Sequence, residues 1–114
     1  MSVFIRILLL PAGGAPEVRE IERSLEAMQA LVGGWIEAVH LADDDRGRVT
    51  LYCNEEGKLK GLCENRYLHG PSGQPYDVLV GNCFISREDE EGESISLTDE
   101  DIREYTKRFE KFLS

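Results

Sequence analysis

The sequence has no long hydrophobic run, and this absence argues against a membrane protein. The strongest apolar run, Ile5–Leu10, is far shorter than the roughly 20 residues that a membrane-spanning helix needs. No small-residue cleavage pattern follows this run, so we also expect no signal peptide. The sequence therefore predicts no membrane association and a cytoplasmic location.

Positive charge is scarce as well. The chain has 13 Lys and Arg against 22 Asp and Glu, which gives a net charge of −9 at pH 7. Because a protein that binds a nucleic-acid backbone needs a basic face, we expect no direct binding of nucleic acid.

The residue types that catalysis and metal binding use are few. None of the three cysteines, Cys53, Cys63 and Cys83, forms a C-x-x-C pair. Structural zinc sites use much closer pairs, so we expect free thiols that pack as small apolar side chains, and no metal or other cofactor. No nucleophile can be grouped with a histidine base and an orienting acid, which predicts that the protein is not an enzyme.

The patterns that are present indicate a single α+β domain over residues 1–114. Clustered or alternating apolar residues predict strands at 3–10, 35–41, 48–53, 76–85 and 94–97. The segments 35–41 and 48–53 flank a turn and are predicted to form a β-hairpin. We expect a mostly antiparallel sheet of four to five strands, with the helices packed on one face.

Two segments have the periodicity of amphipathic helices. Apolar residues at spacings of three and four predict a helix in the N-terminal half, from Pro16 to Val32, that ends at Gly33-Gly34. A second helix begins at Thr98, an N-cap with Asp101 three residues further on. Its aromatic stripe indicates core packing or else a dimer face, so a homodimer or higher homo-oligomer is a hypothesis; the stripe consists of Tyr105, Phe109 and Phe112.

Four segments resemble, in order and spacing, a known family: VGGWIEAVHL, LYCNEEGKLKGLCENR, DVLVGNCFIS and SLTDEDI. This is the domain-of-unknown-function family numbered 3846, found in bacteria, mobile elements and phages, and the similarity covers residues 3–110. The family usually has proline after the Gly61-Leu62 pair, where this chain has Cys63. The resemblance implies a phage or mobile-element setting but no established chemistry, and it transfers no catalytic residue.

The middle of the chain is rich in polar and turn-forming residues and is the candidate binding surface. An arginine can fork two donors onto a phosphate, and an asparagine offers both a donor and an acceptor to a base or ribose. We therefore expect a small anionic ligand there, although residues 58–68 are predicted only as a short helix or an irregular segment. The candidate ligand-binding residues are Tyr52, Asn54, Glu55, Lys58, Lys60, Asn65, Arg66 and Asn82.

Each of these residues also has a structural interpretation. Asn54–Gly57 has the composition of a turn, in which asparagine caps with its side chain and glycine supplies a positive φ. Arg66 could pair with one of the many local acids, and Gly81-Asn82 could form a bulge within a strand.

Acidic residues are concentrated in one stretch. Residues 86–101 contain eight acids against Arg87 alone, which indicates either a solvated turn or a surface that binds a protein. The candidate interaction residues are Glu88, Asp89, Glu90 and Glu91.

Two functional hypotheses follow. The first is a small non-enzymatic phage or mobile-element protein that captures an anionic nucleotide-type signal of host defence. The alternative is an inhibitor or regulator that binds a host protein through its acidic 86–101 surface, as anti-restriction proteins do.

Overall fold

The computed structural model describes residues 3–113 and has an antiparallel sheet at its centre. Strands β2, β1, β7, β4 and β3 lie side by side in this order, β8 pairs with β7, and all pairs are antiparallel. A second sheet contains β5 and β6. The α+β class with a mostly antiparallel sheet is thus confirmed. The elements are β1 (Phe4–Leu10), β2 (Glu17–Glu22), α1 (Leu25–Val32), β3 (Ile36–Asp44), β4 (Gly47–Asn54), β5 (Glu64–His69), β6 (Pro75–Val80), β7 (Cys83–Glu88), β8 (Ser94–Ile95) and α2 (Asp99–Arg108).

Apolar side chains cover both faces of the main sheet. Along β1, Ile5, Ile7 and Leu9 pack with α1, whereas Leu8 and Leu10 pack with residues of α2 and of the β5–β6 hairpin. Because successive side chains of a strand point to opposite faces, the two helices lie on opposite faces of the sheet. The expectation of helices on one face is wrong, since a strand that is apolar on both faces needs a cover on each.

The first half of the predicted N-terminal helix is a strand. Residues Glu17–Glu22 form β2, which pairs with β1 along its length, and α1 begins only at Leu25 with Ser24 as its N-cap. Without β2, strand β1 would present a row of unpaired backbone groups at a sheet edge, so strand pairing outweighs the helical periodicity. The predicted end of the helix is confirmed, with Gly33 at φ 77°.

The predicted strand 76–85 is two strands that belong to different sheets. Strand β6 ends at Val80 and β7 starts at Cys83. Gly81 lies between them at φ 70°, a conformation that other residues rarely adopt, and lets the chain change direction. Gly81-Asn82 is therefore a connection between sheets and not a bulge within one strand.

The segment 58–68 is neither a helix nor irregular throughout. Turns continue to Gly61, and β5 then begins at Glu64 and pairs with β6. The helix-like spacing of the leucines was misleading, because Leu68 belongs to this strand and packs into the core of the α2 face.

The second helix and the hairpin before it match their predictions. Strands β3 and β4 pair as a hairpin, and Thr98 and Asp101 form a capping box at the start of α2. Tyr105 and Phe109 are buried in the core, whereas Phe112 is 39% exposed, so association through this stripe stays a prediction. Within residues 3–113, neither helix combines the length and apolar character that crossing a membrane requires.

Arg87 connects the β3–β4 turn to the start of α2. This side chain is 1% exposed and binds two carboxylates. Its Nε and Nη2 donate to Asp101 at 2.9 and 2.8 Å, and its Nη1 and Nη2 donate to Asp44 at 2.8 and 3.0 Å. A buried guanidinium with two bidentate partners is well compensated, so this network fixes the hairpin turn against the helix.

The network shifts the pKa of each member. Hydrogen bonds from Arg87 and from the Arg46 backbone lower the pKa of Asp44 to about 2. Burial would raise the pKa of Asp101, but hydrogen bonds from Arg87 and Thr98 outweigh it and leave that pKa lowered. All three groups therefore stay charged at neutral pH.

We predict that Asp44→Asn removes part of the pH dependence of folding. The pKa of Asp44 is about 2 in the fold and about 3.9 in an unfolded chain. Because the folded value is the lower one, the ionised carboxylate stabilises the fold above about pH 4, and this contribution is lost as the pH falls toward 2. Urea denaturation of wild type and variant should show their largest difference above pH 4. The exposed neighbour Asp45→Asn is the control, and identical pH profiles for wild type and Asp44→Asn would contradict this role.

Candidate functional site

Asn54 lies inside the fold, at the end of β4. It is 6% exposed, its Nδ2 donates to the Val32 carbonyl at 3.1 Å, and its Oδ1 accepts from the Glu56 N–H at 2.8 Å. A Cβ at Gly34 would lie 2.9 Å from this Nδ2, so the contact also requires glycine there. Asn54 thus joins the end of α1 to the turn after β4, which is the turn role considered from the sequence.

The neighbouring candidates Glu55, Lys58 and Lys60 are on the surface. Lys58 forms a salt bridge with Asp77 of β6, and this partner raises the pKa of Lys58. Lys60 lies 4.0 Å from Glu56. Both lysines therefore have a local carboxylate.

Asn65 and Arg66 are buried and bound to backbone groups. Asn65 Nδ2 donates to the carbonyls of Leu10 and Gly81, each at 2.8 Å, and the Asn65 carbonyl accepts from the Leu113 N–H at 2.8 Å. Asn65 thus connects β5 both to the end of β1 and to the C-terminal segment.

The Arg66 guanidinium is 1% exposed and has four oxygen acceptors. Three are main-chain carbonyls: Phe109 O at 2.5 Å, Pro11 O at 3.1 Å and Gly14 O at 2.7 Å. The fourth is Asn65 Oδ1 at 2.5 Å. From the sequence, Arg66 was expected to bind either an anionic ligand or a local acid. The four acceptors in the structure are instead three main-chain carbonyls and one side-chain amide.

The candidate ligand-binding residues predicted from the sequence do not form one site. Asn54 shares no hydrogen-bond partner with Asn65 or Arg66, and the polar atoms of all three are bound within the chain. Asn82 is exposed, and its Oδ1 accepts from the Ala12 N–H at 2.9 Å. Arg66 and Asn82 bind the loop that follows β1, and Asn65 binds the last residue of β1.

Tyr52 lies elsewhere, beside the acidic residues of β7. Its ring stacks on Phe84 with centroids 5.2 Å apart, and its hydroxyl donates to Glu88, which also accepts from Thr50 Oγ1 at 2.9 Å. Burial and the Glu88 hydrogen bond raise the pKa of Tyr52. Tyr52 and Glu88 are predicted from the sequence to belong to different surfaces, and the β4–β7 pairing brings them together.

Thr50, Tyr52 and Glu88 line an open groove of about 540 Å³, here called the acidic groove. Asp43, Asp89 and Glu90 line this groove, whereas Glu91 is exposed on the turn that contains Asp89 and Glu90. The carboxylates outnumber the cation Arg48. The acidic groove is defined by Asp43, Asp44, Tyr52, Glu88, Asp89 and Glu90.

A second groove, of about 410 Å³, has the opposite character. It lies between β5 and the residues at the end of α2 and after it. Tyr67 is 47% exposed and Phe112 39% exposed, so aromatic surface is available to a ligand. This aromatic groove is defined by Tyr67, His69, Lys107, Arg108, Lys111 and Phe112.

The aromatic groove was not among the sites predicted from the sequence, although the sequence contains a signal for it. Lys107 and Lys111 are four residues apart and alternate with aromatic residues near the end of an amphipathic helix. The aromatic stripe of α2 is predicted from the sequence to be core or a dimer face. The core prediction is confirmed for Tyr105 and Phe109. The groove needs Tyr67 of β5 as its other wall, and β5 was not predicted.

We predict that Arg66→Lys destabilises the protein by about 3 kcal/mol, because a lysine cannot reach all four oxygens and leaves buried carbonyls unpaired. Chemical denaturation measures the loss. Hydrogen exchange of the Leu113 amide should also become faster as the C-terminal segment loosens. Arg103→Lys, an exposed change of the same type, should alter stability by less than about 0.5 kcal/mol. Equal stability of the Arg66 variant and wild type would show that the guanidinium is not required.

In the described part of the chain, no three His, Cys, Asp or Glu side chains come close enough to hold a metal ion. Neither a curated protein nor a solved structure gives a match to this sequence. One family model does match, over residues 5–110, and its description is Domain of unknown function (DUF3846). Because the match spans nearly the whole chain, the resemblance noted in the sequence is confirmed, and the chain belongs to the DUF3846 family.

Proposed function

We propose that the protein is a non-enzymatic binding protein that captures a small anionic ligand with an aromatic ring, and that the aromatic groove is the binding site. In the phage or mobile-element setting that the family resemblance implies, the concrete ligand is a nucleotide-type signal of host defence. The observation that carries the proposal is a locally cationic, aromatic surface on a chain whose net charge is −9.

The charges of the aromatic groove suit an anion. Within residues 3–113, Lys107, Arg108 and Lys111 line it, against one carboxylate, that of Glu110. The Arg108 guanidinium lies 5.4 Å from the centre of the Phe109 ring and 5.9 Å from that of Tyr105, so cation–π contacts hold it at the groove. Lysine ammonium groups on either side are then available to a phosphate.

The aromatic side chains suit a planar ring. Tyr67 and His69 contact each other edge to face, with centroids 6.4 Å apart, and Phe112 faces them from the C-terminal segment. Stacking of a base on such a surface contributes about 1–3 kcal/mol. The volume of about 410 Å³ lies within the range of small-molecule sites.

The lining of the aromatic groove holds neither an aliphatic hydroxyl nor a thiol among the residues that the structure describes. The groups that the groove does present are cations and stacking surfaces, and these support the binding of an aromatic anion.

We predict that isothermal titration against cyclic nucleotides and ADP-ribose-derived nucleotides finds at least one ligand with a Kd on the order of micromolar. Lys111→Glu should weaken its binding about tenfold or more through charge repulsion, and Tyr67→Ala should weaken it through loss of stacking. Lys60→Glu and Tyr76→Ala are the matched controls, because both residues are exposed outside the groove. The proposal is contradicted if a folded sample gives no heat of binding with any of these nucleotides. It is also contradicted if Lys111→Glu and Tyr67→Ala bind the ligand as tightly as wild type.

A second candidate function is favoured by the acidic groove. Its carboxylates and the exposed Glu91 form a negative surface that suits a basic segment of a host protein, so we infer a regulator or inhibitor as the alternative. Asp43 and Asp44 already have arginine partners, and Glu88 binds Thr50 and Tyr52. Glu90 and Glu91 are therefore the groups most available to a partner.

We predict that Glu90→Lys combined with Glu91→Lys abolishes capture of a host protein from lysate, because the basic partner would meet like charge. Glu88 is left intact so that the contacts of Tyr52 are preserved. Glu20→Lys combined with Glu26→Lys makes the same change of charge at exposed positions elsewhere and should retain the partner. If the Glu90/Glu91 variant retains every protein that wild type captures, the acidic groove is not a docking surface.

A further inference from the structure

Two of the three cysteines lie opposite each other on neighbouring strands. Strands β4 and β7 are antiparallel, and the last pair in their register is Tyr52 with Phe84. The next pair along the same register is Cys53 with Cys83. Both belong to the core on the α2 face of the sheet, so their side chains point to the same side.

The two thiols are close enough to interact. Each thiol shifts the pKa of the other. Each also has a carbonyl neighbour: Cys53 Sγ lies 3.8 Å from Glu37 O, and Cys83 Sγ lies 3.5 Å from Gly81 O.

The thiols differ in access. Cys53 is partly exposed and lines a cleft of about 200 Å³ beside Lys58, whereas Cys83 is 0% exposed. A reagent can therefore reach Cys53 first.

The thiols also differ in acidity. The hydrogen bond with Cys83 lowers the pKa of the Cys53 thiol, and Lys58 contributes in the same direction against burial and the carboxylates of Glu37 and Asp77. Contact with Cys53 and burial raise the pKa of Cys83. Cys53 is thus the thiol that ionises, and a thiolate is the reactive form.

We propose that Cys53 and Cys83 are an oxidation site, at which a hydroperoxide closes a reversible disulfide between β4 and β7. Directly opposed residues have Cβ atoms about 4.5–5.5 Å apart, and a disulfide needs about 3.5–4.5 Å. The pair lies where β4 ends and β7 begins, so the strands have to approach only at the end of their ladder. The bond encloses the whole β5–β6 hairpin in a covalent loop.

The reaction balances with the hydroperoxide as oxidant. The Cys53 thiolate attacks one peroxide oxygen, an S–O bond forms, the O–O bond breaks, and the leaving hydroxide or alkoxide takes a proton. The Cys83 sulfur then loses its proton and attacks the Cys53 sulfur, forming the S–S bond as the S–O bond breaks and water leaves. Two thiols are oxidised and one peroxide is reduced, and a dithiol reductant reverses the bond by exchange.

The test is peptide mapping of the folded, full chain after treatment with hydrogen peroxide. We expect a loss of about 2 Da, a linked peptide that contains Cys53 and Cys83, and recovery of the original mass with dithiothreitol. Cys63→Ser removes the exposed third cysteine and should leave this bridge intact. Cys53→Ser and Cys83→Ala should each abolish the loss of mass.

The wild-type map decides the question even if a cysteine variant fails to fold. A predominant bridge between Cys53 and Cys63 would overturn the proposal, because those residues are not paired across strands. So would oxygen addition at Cys53 without a bridge, or no reaction at all under conditions that oxidise Cys63.

Discussion

The fold depends on a buried positive charge that has no carboxylate partner among residues 3–113. Removing a guanidinium from water costs several kcal/mol, and the fold offsets this cost with four oxygen acceptors around Arg66. Three of them are main-chain carbonyls from segments far apart in the chain, namely the loop after β1 and Phe109, the C-cap of α2. The side chain therefore positions backbone that has no strand or helix of its own to hold it.

The Arg66 side chain also positions one wall of the aromatic groove. The Arg66 guanidinium lies 5.5 Å from the centre of the Phe112 ring, and its Nε binds the carbonyl of Phe109. Both contacts fix the C-terminal segment that forms one wall. Tyr67, the next residue of β5, points to the other side of its strand and forms the opposite wall. Arg66, which the sequence predicted to contact a ligand, thus positions one wall of the aromatic groove and does not itself line the groove.

Local patterns predicted the parts of the fold that local physics decides. The β3–β4 hairpin, the glycine end of α1 and the Thr98 capping box depend on residues close in sequence, and all three are present. Strand β2 was missed because its periodicity fits a helix and only the vacant edge of β1 requires a strand. Strand β5 was missed because two of its buried side chains, Asn65 and Arg66, are polar. Their partners are backbone carbonyls from distant segments, which no sequence pattern reveals.

The order of the strands has a consequence for the newly made chain. Leu8 and Leu9 pair with Ile85 and Phe84, so the middle of the sheet joins residues that are far apart in the sequence. During synthesis, β1 waits without its β7 neighbour until residues 83–88 have left the ribosome, and its Leu8 and Leu10 face lacks the late cover of α2 in the meantime. Contacts of this sequence separation slow folding and expose surfaces that aggregate. Rapid translation or overexpression should therefore place the nascent protein at greater risk than its finished stability suggests.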